Sequence, residues 1–214
     1  MHSDESTLPE SVEEALLRAG FAQGDEGVVL IRSSLNSPVS RQRVLALRAG
    51  ARRSLVSDEE WLRAMGDEHV EVRREALALL GYLEVRSPNL LEEITAALAD
   101  PDPLVVDAAA FALGERMHRP AVERLSEVAM RHEDARCREA AVAALGAIGD
   151  DRGLPAVLGA LADKAPVRRR AIAALANFEG PDVDEGLARA REDRDWQVRA
   201  AVSQLDQDEG GVEG

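Results

Sequence analysis

Apolar residues recur along the chain in rows of four-residue steps, and the rows themselves repeat. In "VEVRREALALLG", "PLVVDAAAFALG", "DARCREAAVAALG" and "KAPVRRRAIAALA" one register aligns Val72, Val105, Cys137 and Val167 at a first apolar position. Ala76, Ala109, Ala141 and Ala171 follow four residues later, and Leu80, Leu113, Leu145 and Leu175 eight later. An i, i+4, i+8 row is one face of an α-helix. The anchors lie 33, 32 and 30 residues apart, and Val198 in "WQVRAAVSQL" comes 31 later. A more degenerate copy, "SRQRVLALRAG", ends at Gly50. Such a period marks a repeat architecture.

A second helical segment precedes each row: "EGVVLIRSSL", "DEEWLRAMG", "NLLEEITAALAD", "AVERLSEVAM", "LPAVLGALAD" and "DEGLARARED". Ser11 with Glu14 and Ser57 with Glu60 have capping-box spacing, and Pro88, Pro120, Pro155 and Pro181 sit near first turns, where a missing N–H is harmless. Gly81, Gly114 and Gly146 fall late in the rows, and Gly149 and Gly153 loosen the turn after the last of these. No strand-like alternation of useful length interrupts the pattern. The expected fold is all-α, a right-handed α-α superhelix of about five to six helix pairs, each burying its apolar face only against its neighbours. The expected organisation is one continuous solenoid over 9–205, opened by a capping helix at 9–24. The stretches 1–8 and 206–214, the latter acidic and glycine-rich, have little to bury and read as disordered.

Composition fits this picture. The chain is 45% hydrophobic but only 3% aromatic, so its core is built from many small aliphatic contacts.

The stretch "DARCREAAVAALGAIGDDRGLPAVLGALAD" resembles the bacterial HEAT repeats of the phycobilin-lyase type. The resemblance covers about 37 to 205 and is strongest from 67 to 178. It implies the fold firmly, but this repeat serves scaffolds, lyases and glycosylases alike. It also implies a ladder in which an Arg after the first core position pairs with an Asp near a turn. Arg73, Arg138, Arg168 and Arg199 match, and Asp107 is read as standing in that place in the third copy, where the ladder would break or the groove turn acidic. The last copy reaches Leu205 one residue early, as a terminal cap would.

The formal net charge is −14, from 40 acidic and 26 basic residues, of which only Lys164 is Lys. Such a balance repels nucleic-acid phosphate and anionic membrane and favours basic partners. One cysteine permits no intrachain disulfide, the polar start has no signal-peptide pattern, and no apolar run of about 18 residues exists to cross a bilayer. A cytoplasmic location is expected.

Candidate chemistry is sparse. His132-Glu133 resembles the His-Glu pairs with which deoxyhypusine hydroxylase, another HEAT-repeat protein, holds two irons. That site needs several converging pairs, and this chain has one, plus Glu68-His69 in reversed order, so no metal or other cofactor is expected. Cys137 falls at a core position held elsewhere by Val and reads as a buried thiol. No nucleophile elbow, phosphate-cradling glycine loop or Cys-x-x-Cys pair is present.

In HEAT solenoids the Val-Arg helix lines the concave side, which implies that positions two, three, six and ten after each anchor face a groove. The resulting binding candidates are Arg74, Tyr82, Phe111, Glu115, Arg169, Arg170 and Asn177. Phe111 stands where sister repeats have Ala78, Ala143 and Ala173, while Trp61 and Trp196 are expected within or at the end of the stack. The leading expectation is a non-catalytic module holding a protein or peptide partner on its concave face. Two alternatives are a phycobilin-lyase-like enzyme or chromophore chaperone, and an acidic inhibitor or immunity protein for a basic partner.

Overall fold

The structure, a computed structural model, describes residues 11–85 and 87–210. Among these residues there are thirteen α-helices, three short 3-10 turns and no strand. The expectation of disorder at 1–8 lies outside the described residues.

Two compact units divide between Leu90 and Leu91, within α6 (Pro88–Ala96), although the repeat pattern runs through that point in the sequence. The first contains α1 (Val12–Ala19), α2 (Val28–Ser34), α3 (Ser40–Arg52), α4 (Asp58–Met65) and α5 (Val70–Tyr82). Ser11 and Ser57 cap α1 and α4 with both halves of a capping box, as their spacing predicts. Helix α3 lies between α1 and α5, and Leu16, Ile31, Leu47, Val72 and Leu77 form a fully buried core.

The second unit continues with α7 (Pro103–Glu115), α8 (Val122–Arg131), α9 (Ala135–Ile148), α10 (Leu154–Ala160), α11 (Ala165–Leu175), α12 (Pro181–Ala190) and α13 (Trp196–Gly210). Helix α13 thus runs past the boundary expected at Leu205. In this unit α7, α9, α11 and α13 stack on one another as one row, with α8, α10 and α12 beside them as another. All twelve residues aligned at the three core positions of the repeat are at most 1% exposed, which settles the register.

Small residues bring the first row together. A Cβ on Gly114 would lie 2.9 Å from Ala144 Cα, and one on Gly146 would lie 2.7 Å from Ala174 Cα. In the other row, a Cβ on Gly186 would meet only side-chain ends, Leu161 Cδ1 at 3.0 Å and Leu158 Cδ2 at 3.1 Å. Backbone meets backbone in one row and side chains separate the axes in the other. This is the use of the alanine-rich pattern.

The ladder is built from bidentate pairs. In the first unit Arg43 grips Asp67 with Nε and Nη2, both at 2.8 Å. In the second, Arg138 holds Asp163 at 2.6 and 2.7 Å, and Arg168 holds Asp193 at 2.8 and 2.8 Å. Each arginine is oriented by its remaining Nη1, which donates at 2.7 Å to a carbonyl of the preceding turn: Ser37, His132 and Asp163 respectively.

The third copy corrects the expectation for Asp107. The residue one after Val105 is Val106, which is 0% exposed, and Asp107 is the exposed residue beyond it. At the following turn His132 stands where the other turns have Asp, and its Nδ1 accepts the Asp134 N–H at 3.1 Å as those carboxylates accept theirs. Both partners of this rung are changed together, so no charge is left buried without an opposite.

The rung carboxylates make the fold acid-sensitive. Hydrogen bonds from Arg138 and Arg168 hold Asp163 and Asp193 below the ordinary carboxylate pKa. Burial pushes Asp67 up, but the hydrogen bonds from Arg43 and the His69 N–H outweigh it and the net shift is downward. A lowered folded pKa gives stability that is present above the unfolded value, about 4, and is lost as pH falls through the folded one. Urea unfolding at stepped pH should show stability constant near neutrality and falling below about pH 4. Asp163→Asn should be less stable at pH 7 yet lose less on acidification.

Candidate binding surface

The register places the seven candidates on the α3–α5 and α7–α9–α11 rows, in two groups. Arg74 and Tyr82 are exposed on α5 in the first unit, Tyr82 at 76%. In the second unit Phe111 and Glu115 lie on α7, one turn apart, with Phe111 half-buried and Glu115 exposed. Arg169 and Arg170 lie on α11, and exposed Asn177 comes just after that helix. Helix α9 sits between α7 and α11 and contributes half-buried Glu139, Ala140 and Ala143. Arg170 reaches Glu139 at 3.6 Å, and Arg169 hydrogen-bonds the Gln197 side chain on α13.

Charge is sorted between helices. Helices α3, α5, α7, α9, α11 and α13 hold twelve arginines and eight carboxylates, whereas α1, α2, α4, α6, α8, α10 and α12 hold six and twelve. The net −14 therefore does not describe the Val-Arg row. Along that row in the second unit the sign changes, from Asp107 and Glu115 on α7, through Glu139 and Arg136 on α9, to Arg169 and Arg170 with no carboxylate on α11. In the first unit, Arg48 makes a bidentate pair with buried Glu75 at 2.6 and 2.8 Å, a contact that no spacing in the sequence singles out.

The remaining motifs are structural. Cys137 Sγ–H donates to the Pro103 carbonyl at 3.3 Å, and burial pushes the thiol pKa up to about 11, so little nucleophilic thiolate forms at neutral pH. His132 serves the turn. Among the described residues no group of three or more His, Cys, Asp or Glu could hold a metal ion. None of their helices is long and apolar enough to cross a membrane. Trp61 is buried at 4%, as expected of a stack residue, but Trp196 at the start of α13 is 67% exposed. Open grooves of about 550 and 260 Å³ flank α10 on the other row.

Comparison with known proteins bears on the fold. The family model for HEAT repeats matches residues 59–129, 91–176 and 122–206. Among curated proteins none matches. Among solved structures, an engineered protein from a structural-genomics programme superposes with TM-score 0.63 at 20% identity, over 86% of this chain and 95% of that one. The complex of CpcE and CpcF of phycocyanin lyase from Nostoc sp. PCC7120 superposes with TM-score 0.60 at 21% identity, over 94% of this chain and 77% of that one. A designed armadillo repeat protein in complex with the peptide (KR)4 gives TM-score 0.53 at 14% identity, over 92% of this chain and 99% of that one. At these identities the likeness is one of fold. With three overlapping family matches spanning 59–206 and helix pairs stacked in the same register, the chain belongs to the HEAT-repeat family.

Proposed function

We propose that the chain is a non-catalytic protein-binding module, which holds a peptide or extended segment of a partner protein across α7, α9 and α11, the row the repeat puts on the concave side. The observation that carries this reading is the ordered surface of that row: carboxylates and half-buried Phe111 on α7, small residues on α9, arginines on α11. Aromatic and arginine side chains supply most of the energy in protein interfaces, and complementary charge sets orientation. A fitting segment is basic where it crosses α7, apolar over Phe111 and Ala143, and acidic over α11. Helical-repeat folds are typical of protein-binding scaffolds. The likeness to the phycocyanin lyase complex is one of fold and transfers no activity.

The test uses three labelled peptides of equal length: one alternating Lys and Arg, one alternating Asp and Glu, and one with a basic block, a central Leu and an acidic block. The mixed peptide should bind about tenfold more tightly than either single-sign peptide, and more weakly as salt rises. Phe111→Ala should weaken binding with helix content unchanged, and Arg169→Glu with Arg170→Glu should shift preference to the basic peptide. Equal binding of all three peptides would sink the reading. A large stability loss from Phe111→Ala would instead make that ring part of the packing.

A further inference from the structure

The grooves between successive helices of the other row are not closed alike. Ser37, Asp67, His132, Asp163 and Asp193 each anchor a ladder arginine through their carbonyl, and they set a common register. In each groove the residue just before the earlier turn and the residue four before the later turn are lining neighbours. Between α2 and α4 these are Asn36 and Arg63, and Arg63 Nη1 donates to Asn36 Oδ1 at 2.9 Å across the opening. Between α10 and α12 they are Ala162 and Arg189, the latter 3.9 Å from Glu185 on its own helix. Between α8 and α10 they are Arg131 and Gly159, so here the cation lies on the earlier helix and no side chain stands opposite. Gly159 serves no packing need, since a Cβ there meets nothing within 4 Å, and glycine in a helix costs stability relative to alanine. Its bareness leaves a groove of about 550 Å³, against about 320 and 260 Å³ for the other two. Buried Ala129, Ala156 and Ala160 line it, with Met130, 55% exposed, and Ala162 at the rim. Of its charged side chains, Arg138 and Asp163 close on one another and Arg131 is left over. Arg131 is exposed and, among the described residues, has no carboxylate partner; Glu127, one turn before it, is taken by Arg124 at 2.6 Å.

We propose that the groove between α8 and α10 docks an acidic segment of a partner protein, with one large apolar side chain seated over Gly159 and an Asp or Glu carboxylate on Arg131. Charge complementarity names the occupant. The carboxylate takes the part that Asn36 plays for Arg63, and the apolar side chain fills the place where the sister helices carry one. The α2–α4 groove, lined by Arg43 and Arg63 against Glu60, Asp67 and Glu68, has the opposite balance and would reject the same segment. The groove is open along its length, whereas small-molecule sites enclose most of their ligand, so a protein segment laid across it is the better fit. The proposal is independent of the row that carries Phe111.

The probe is a displayed library of random peptides about twelve residues long, selected on the full chain and counter-selected on Gly159→Leu, whose side chain fills the groove from an exposed position. Peptides that survive should pair a large aliphatic or aromatic residue with Asp or Glu. For the strongest of them, followed by fluorescence anisotropy, Arg131→Gln in the chain and acid-to-amide exchange in the peptide should each weaken binding by about tenfold, and the two together no further. Phe111→Ala should leave this binding unchanged, so the two surfaces fail separately. Thermal melts check that both groove variants keep the fold, and Arg131→Gln, at an exposed site, tests the groove without filling it. A counter-selection that leaves no enriched peptide overturns the proposal, as does binding indifferent to Arg131→Gln. Free 3-phenylpropionate bound as tightly as the best peptide would assign the groove to small carboxylates and overturn it too.

Discussion

Asp193→Ala lowers the stability of the chain by about 3–5 kcal/mol, read by urea unfolding at pH 7. The size reflects the group left behind, since Arg168 is only 6% exposed and loses both hydrogen bonds to the carboxylate while its third is fixed to the Asp163 carbonyl. A guanidinium held there can neither reach water well nor give up its proton. The double variant Asp193→Ala with Arg168→Met should recover most of the loss, because an apolar side chain of similar length removes the stranded charge. The third copy already has such an arrangement, with Val106 buried and His132 in the turn. By contrast, Arg124→Ala breaks a pair with Glu127 at 2.6 Å whose side chains are 51% and 53% exposed, and should cost less than about 0.5 kcal/mol. Equal losses at the two sites would mean that burial is not what gives the rung its strength.

This contrast also separates what is legible in the chain alone from what is not. The core is legible because periodicity of apolar residues is a direct consequence of helix geometry, and every aligned anchor is buried. The ladder is legible only in part. Counting from the nearest polar residue puts Asp107 on the rung, whereas the register has buried Val106 there, a residue whose meaning depends on its neighbour across the turn. Arg48 and Glu75 give no signal for the same reason: 27 residues separate them, and only stacking of α3 on α5 brings them together. The size of Trp196 suggests packing, but its exposure depends on which elements pack against the start of α13. The candidate binding residues are selected by register, and the structure divides them between two units; their charge order becomes visible only with α9 placed between α7 and α11.

Gly146→Ala should destabilise the chain by about 2 kcal/mol, while Gly159→Ala, thirteen residues further on, should stabilise it by up to about 1 kcal/mol. In an isolated helix both changes are favourable, since alanine restricts the unfolded chain and suits the helix better. Gly159 on α10 is exposed, and a Cβ there meets nothing within 4 Å, so it takes the intrinsic gain. On α9 the new methyl of Gly146 lies 2.6 Å from Ala174 Cβ and 2.7 Å from Ala174 Cα. The obstructing atoms belong to the backbone and first carbon of α11, which no rotamer change can move aside, so the two helices must separate and loosen the contacts of Ala141, Leu145, Ala171 and Leu175. Separation also strains the pair between Arg138 and Asp163, which bridges α9 to the turn before α11. The loss should therefore exceed the helical gain, and a bulkier Gly146→Val should be worse. Thermal melts of the two alanine variants moving in the same direction would show that close approach of α9 and α11 is not why glycine stands at 146.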